Sequence, residues 1–216
     1  MPEPATLSLV GTGFIAMVVR FLQRRYRDAK PWFDRIGGAT LLVIFAPVIG
    51  VCAFLVKLTS KGPAFYAQER VGQGGRIFKI IKLRSMHMDA ETHTGPVWAE
   101  DDDPRVTCVG CVLRKMHLDE LPQLINVVRG EMSLVGPRPE RPYFVEQLKG
   151  RIPDYEKRFS VKPGITGLAQ VRARADRNLR DVRRKIKLDA MYIRNMCWLV
   201  DFVVMLKTLR KFSGRA

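Results

Sequence analysis

Asp119 and Glu120 stand side by side in Leu118-Asp119-Glu120-Leu121-Pro122-Gln123-Leu124. Leu121, Leu124, Ile125 and Val128 share one helical face just beyond them, and Gly130 ends the run, so a helix is predicted to begin near Asp119. An ionised carboxylate is a competent nucleophile toward phosphorus, and a neighbouring carboxylate can hold a divalent cation. A helix start favours the ionised forms through its dipole and free N–H groups, and Pro122 suits a first turn. For the dipeptide taken alone, plain capping is the competing reading, with Asp119 as N-cap and Glu120 as a first-turn acid.

The basic residues nearby tilt this toward phosphate chemistry. Arg114 lies five positions ahead of Asp119. Lys82 and Arg84 are two apart in a predicted strand and should face the same side. Arg138 sits between Pro137 and Pro139, which restrict its backbone and can pre-set it for a bidentate grip on phosphate.

Several elements must position these groups. Pro63 to Arg70 and Ile77 to Arg84 read as two strands joined by a turn at Gly72-Gln73-Gly74-Gly75, a small hairpin. Met88 to Asp103 is polar and ends in four acids, so it reads as a loop; Gly136-Pro137-Arg138-Pro139 and Pro163-Gly164-Ile165-Thr166-Gly167 read as two more. Residues 178 to 212 form the longest predicted helical tract, with Leu188, Met191, Tyr192, Leu199, Phe202, Val203, Leu206 and Leu209 in an apolar stripe. Basic residues and Trp198 beside that stripe suit a helix in a lipid interface, and a core helix of a soluble domain fits the same pattern.

Two further segments are too apolar for a small soluble protein. The first, Ala5 to Phe21, is followed by Arg24, Arg25 and Arg27 and lacks the basic leader of a signal peptide. It is barely long enough to cross ~30 Å of hydrocarbon; as a span its N-terminus would face outward, and an interfacial helix fits equally. The second, Ile36 to Val56, is uncharged, with Pro47 inside it and basic residues at both ends. Both ends therefore prefer the cytoplasm, and Pro47 gives a cause for a break, so a re-entrant helix is expected, with a kinked span as the alternative.

With 216 residues, the chain has room for one core plus membrane attachments. Its formal charge of +16 is uneven: residues 141–216 carry nineteen basic and seven acidic side chains. Such a block wants a polyanion, whether nucleic acid, anionic lipid or a phosphorylated substrate. Cys108 and Cys111 form a single CxxC with no partner pair, which argues against zinc, and the cysteine usage suits a reducing compartment.

At these residues the chain resembles the bacterial sugar transferase family, the monotopic polyprenyl-phosphate phosphoglycosyl transferases. The resemblance runs from about residue 30 to 212 through five ordered blocks: 82–86, 103–107, 113–124, 133–139 and 162–171. It implies a mainly α fold with a small β-hairpin (α+β): an N-terminal apolar segment over 1–29, a re-entrant membrane helix over 30–60 broken near Pro47, and a cytoplasmic catalytic domain over 61–216 with interfacial helices. It also implies a ping-pong reaction at the cytoplasmic face of a bacterial inner membrane. Asp119 attacks the sugar-bearing phosphate of a UDP-sugar and releases UMP; polyprenyl phosphate then takes the phosphosugar from the aspartyl ester. Glu120 would hold Mg²⁺, and Lys82, Arg84, Arg105, Arg114, Arg138 and Arg174 would bind phosphates. The product, a polyprenyl-diphospho-sugar, opens polysaccharide or glycoconjugate assembly. Anionic lipids are expected partners, a homodimer is one assembly the resemblance allows, and nucleic acid is not expected.

Two departures from the family pattern stand out. Arg172-Ala173-Arg174 replaces the usual Asn-Gly-Arg, which bears on nucleotide or sugar preference, and Ala46 replaces the usual Ser before Pro47. Two other function classes account for part of this pattern. A membrane-tethered nucleic-acid-binding module explains the charge but has no use for an Asp-Glu pair, and no aromatic residue interleaves the basic run from Arg172 to Lys187. A non-catalytic scaffold of a polysaccharide assembly system would keep the blocks and lack turnover.

Overall fold

A computed structural model describes residues 4–88, 90, 103–173 and 178–212, with side chains described from residue 17 to 211 of these. The chain is mainly helical with a small antiparallel hairpin, as the sequence indicates. It opens with α1, Pro4–Thr59, an uninterrupted helix of 56 residues and roughly 84 Å at 1.5 Å per residue. Pro31 and Pro47 both lie inside it. The expected break near Pro47 is therefore corrected: helix continues on both sides, because a proline deletes one N–H and the flanking turns keep theirs. The boundary expected between residues 29 and 30 likewise falls inside this helix, and α1, not the C-terminal tract, is the longest helix.

One face of α1 packs on the rest of the protein at two places. Lys30, Asp34 and Gly38 are buried at the first; Ile49, Cys52 and Val56 are buried at the second, where Cys52 and Val56 meet Leu83 and Leu113. None of residues 39–48 between them is buried. Trp32, Phe33, Ile36, Val43, Ile44, Val51, Phe54 and Leu58 stay exposed. At Gly38 a methyl group would sit 2.8 Å from Val127 Cγ1, so only glycine lets α1 approach the helix that carries Val127 this closely.

The hairpin pairs β1, Phe65–Val71, with β2, Ile77–Leu83, in antiparallel register. Helix α2, Cys108–Lys115, follows the acidic segment, and α3, Gln123–Arg129, stops at Gly130 as expected. Strand β3, Ser133–Val135, leads into α4, Pro142–Lys149. It pairs in parallel with β4, Gly164–Thr166, which lies within the 163–167 stretch that reads as loop in the sequence. Helix α5, Leu168–Arg172, precedes α6, Leu179–Asn195, and α7, Trp198–Phe212, so the single C-terminal tract is two helices parted at Met196-Cys197. Trp198, Leu199, Phe202, Val203, Leu206 and Leu209 of α7 are exposed, which leaves its apolar stripe uncovered.

A buried polar cluster ties α1 to the strand that leads into the site. Asp34 accepts from Ser133 Oγ at 2.7 Å and from the Leu134 N–H at 3.2 Å. Lys30 lies 3.4 Å from Asp34 and ion-pairs with Asp201, which also accepts from Tyr26 Oη at 2.6 Å. Tyr192 Oη sits 2.8 Å from Asp201 and 2.9 Å from the Val135 carbonyl. Buried charges persist where they are paired and hydrogen-bonded, so α1 is anchored by chemistry as well as by packing.

Candidate active site

Asp119 and Glu120 lie on a 3₁₀ turn, Leu118–Glu120, entered through His117 at φ 53°. A residue other than glycine in the left-handed region is strained, and here it swings the chain into the acidic pair. The turn ends at Pro122, the residue before α3. Neither acid caps a helix: Pro122 is the residue at the N-cap of α3, with no side-chain cap bond. The plain capping reading thus gives way to a different arrangement, in which Glu120 is held by cations from distant elements and Asp119 lies beside it within reach of their charge.

Glu120 is gripped from two sides. Lys82 Nζ from β2 lies 2.8 Å from its Oε1; Arg138 reaches the same oxygen with Nη2 at 2.6 Å and Oε2 with Nη1 at 3.3 Å. Burial alone would raise the Glu120 carboxyl, but the Arg138 guanidinium and the Lys82 ammonium outweigh it and hold the group well below the usual carboxylate range. Burial pushes the Lys82 ammonium down, and Glu120 opposes it. Asp119 differs from its neighbour. It is 7 % exposed, and burial, followed by the adjacent Glu120 charge, raises its carboxyl from 3.8, against the pull of Lys82, Arg114 and Arg138. The expectation that a helix start favours ionisation of both acids holds for neither by that cause.

The supports explain why these groups meet. Asn126, fully buried in α3, accepts the Ile81 N–H on Oδ1 at 3.0 Å and donates to the Lys79 carbonyl at 2.8 Å. This bolts α3 to β2 and fixes Lys82 opposite Glu120. Arg114 Nε donates to Ser85 Oγ at 2.9 Å. Thr107 caps α2 by accepting from the Gly110 N–H, and a methyl on Gly110 would lie 2.0 Å from the Ser85 carbonyl oxygen, so α2 can press on Ser85 only through glycine. Ser85 and Asn126 were missed as site residues in the sequence; a buried amide facing a strand leaves no mark in spacing.

The structure brings together Asp119, Glu120, Lys82, Arg114 and Arg138, three cations around two anions. Arg84 it places elsewhere. Strand β2 ends at Leu83, so the alternation that put Arg84 beside Lys82 stops one residue short. Its buried guanidinium donates instead to the Lys61 carbonyl and to the Ser60 carbonyl and hydroxyl at 2.9 and 2.8 Å. Arg105 forks onto Asp103, with Nε–Oδ1 at 2.8 Å and Nη2–Oδ2 at 2.6 Å. Arg174 lies outside the described residues. Cys108 and Cys111 are exposed thiols on α2. Among the described residues no group of three or more His, Cys, Asp or Glu side chains is placed to hold a metal.

This site and its scaffold belong to a recognised class. The bacterial sugar transferase family matches residues 25–215, and the chain is a member of that family. It is 44 % identical over 185 residues to the UDP-N-acetylgalactosamine-undecaprenyl-phosphate N-acetylgalactosaminephosphotransferase of Aeromonas hydrophila, covering 86 % of this chain and 44 % of that protein. It is 39 % identical over 212 residues to the UDP-glucose:undecaprenyl-phosphate glucose-1-phosphate transferase of Caulobacter vibrioides, covering 96 % of this chain and 76 % of that one. The transferase of the same description from Escherichia coli strain K12 is 41 % identical over 184 residues, covering 84 % of this chain and 39 % of that protein. The chain thus spans less than half the length of two of these three relatives.

Proposed function

We propose that the chain is an enzyme that moves a sugar-1-phosphate from a UDP-sugar to undecaprenyl phosphate through a phosphosugar ester on Asp119. The observation that carries the reading is the unequal pair: one buried carboxylate with no ion-pair partner among the described residues next to another clamped by two cations. Asp119 supplies the attacking oxygen. That oxygen bonds to the sugar-bearing phosphorus, the phosphoanhydride bond breaks, and UMP departs with the electron pair. An oxygen of undecaprenyl phosphate then attacks the same phosphorus and the Asp119 carboxylate leaves. Lys82, Arg114 and Arg138 bring three positive charges to phosphoryl oxygens whose charge grows during transfer. Arg105 and Arg174 join them as candidate phosphate contacts on the resemblance alone; Arg84 does so only by giving up its bonds to residues 60 and 61. The names of the relatives support the donor and acceptor classes, without choosing the sugar.

The residues present fit Mg²⁺. This ion takes one or two carboxylates and completes its shell with water and substrate phosphates, so a site without a third acid is no obstacle. Glu120 would hold it; of its two contacts to Arg138, the one at Oε2 is the longer, 3.3 Å. Bound there, the ion would offset charge on the diphosphate and ease departure of UMP.

The exposed apolar faces of α1 and α7 favour a place at a membrane surface, and we assign the site to the cytoplasmic face of a bacterial plasma membrane. Both ends of the apolar tract 36–56 pack against the same domain, which favours their lying on one side of the membrane. Asp28→Cys and Lys61→Cys, each on a cysteine-free background, test this with a membrane-impermeant maleimide. Both should stay unlabelled in intact spheroplasts and label in inverted vesicles; labelling of one from each side would contradict it.

The reaction sequence is tested by isotope exchange. With UDP-N-acetylgalactosamine or UDP-glucose, Mg²⁺ and no lipid acceptor, labelled UMP should pass into the nucleotide-sugar. Exchange that occurs only once undecaprenyl phosphate is added would rule out the two-step path.

A further inference from the structure

Behind Arg138 the chain from Pro137 to Glu140 is held by its carbonyls. The Gly164 N–H donates to Pro137 O at 2.9 Å, and the Val71 N–H donates to Glu140 O at 2.9 Å. The two carbonyls between them are met by side chains: Arg158 Nη2 reaches Arg138 O at 2.9 Å, and Arg70 Nη1 reaches Pro139 O at 3.0 Å. Pro137 and Pro139 have no N–H to offer, so this segment cannot be fixed by a regular ladder. Two guanidinium groups take the ladder's place.

Keeping those groups there is costly. The Arg158 side chain is 2 % exposed, and its charge is offset by Asp189 at 2.9 Å, with Glu140 at 3.7 Å and Tyr155 Oη at 3.2 Å. Arg70 is anchored by Gln68 Oε1 at 2.6 Å. A buried ion pair is seldom better for stability than apolar packing of the same volume. What these two add is direction: a planar, multiply bonded guanidinium fixes where a carbonyl points. One of the carbonyls they fix belongs to Arg138 itself and the other to the residue after it; the Arg138 side chain grips Glu120 and is still 37 % exposed, leaving a face for an anion.

We propose that Arg158 and Arg70 are positioning residues that hold the Arg138 backbone so that its guanidinium spans Glu120 and a substrate phosphate. This rests on the function proposed above. It has a readout that a merely structural role would not move, namely coupling to Arg138 in the kinetics.

The experiment measures kcat/KM for the nucleotide-sugar at saturating undecaprenyl phosphate, with thermal unfolding alongside. The variants are Arg158→Lys, Arg70→Met, Arg138→Ala and the two doubles that include Arg138→Ala. Each positioning variant should fall by roughly 10²-fold, the scale of a 1 Å misplacement. Each double should fall no more than about threefold below Arg138→Ala alone, because the group being positioned is already gone. Singles with wild-type kinetics, or doubles whose losses multiply, would overturn the proposal while leaving the enzyme assignment intact. A wild type that releases no UMP would overturn both. Arg70→Met carries the test if Arg158→Lys does not fold.

Discussion

Asp119→Asn should reduce UMP release by about 10⁴-fold or more, the scale seen when a nucleophile is removed, without making the protein less stable at neutral pH. The two halves come from one cause. Asp119 sits where burial and the Glu120 charge raise its carboxyl from 3.8, so keeping it ionised strains the fold. The native state then binds the proton more tightly than the unfolded chain does. Stability contributed by this group falls as pH rises from about the unfolded value through the raised native one, so the cost is absent in acid and grows toward neutral pH. The amide carries no charge and removes that cost. Melting curves should place the variant level with or above wild type at pH 7, and the difference should close below about pH 4. A variant that melts well below wild type at pH 7 would mean that Asp119 is structural.

Glu120→Gln should behave in the opposite way, losing both stability and activity. Glu120 is the anion between Lys82 and Arg138, and the amide leaves those two cations facing one another. Removing one partner from a buried pair costs about 3–5 kcal/mol; with Arg138 partly solvated, about 3 kcal/mol is expected. Activity should fall by roughly 10²–10³-fold, as for loss of one electrostatic contact at a developing charge. The sign with pH is reversed relative to Asp119. A carboxyl held well below 4.5 stabilises the fold fully above that value, and this is lost as pH falls through the native value. The gap between variant and wild type should therefore be wide at pH 7 and shrink in acid. A gap that widens on acidification would contradict the clamp.

Local features of this chain are legible in the sequence because they depend on near neighbours. The hairpin follows from two apolar runs parted by glycines, and the stop of α3 follows from Gly130 after a helical stripe. The acidic pair, Lys82, Arg114 and Arg138 can be picked out by residue type. Their mutual geometry cannot: Lys82 and Glu120 are 38 positions apart and meet because Asn126 pins α3 to β2. Strand alternation misplaced Arg84 because a strand's end cannot be fixed to one residue from pattern alone. Pro47 invited a break because a proline weakens a helix locally, whereas helix continues where the turns on both sides are intact. The three-residue parallel pairing of β3 and β4 is too short to have a period, and the residues that brace Arg138 come from β1 and the turn at Tyr155–Ser160 without any shared motif.

Intact-mass analysis gives the most direct test of whether Asp119 bonds to phosphorus. Purified protein in detergent is mixed with a UDP-sugar and Mg²⁺, quenched in acid without any lipid acceptor, and weighed. The account predicts a gain of one phosphosugar, mapped to the peptide that contains Asp119, discharged by undecaprenyl phosphate and absent in Asp119→Asn. An unmodified mass in a preparation that makes lipid-linked product once acceptor is supplied would mean direct transfer between the two substrates, and the covalent role of Asp119 would be wrong.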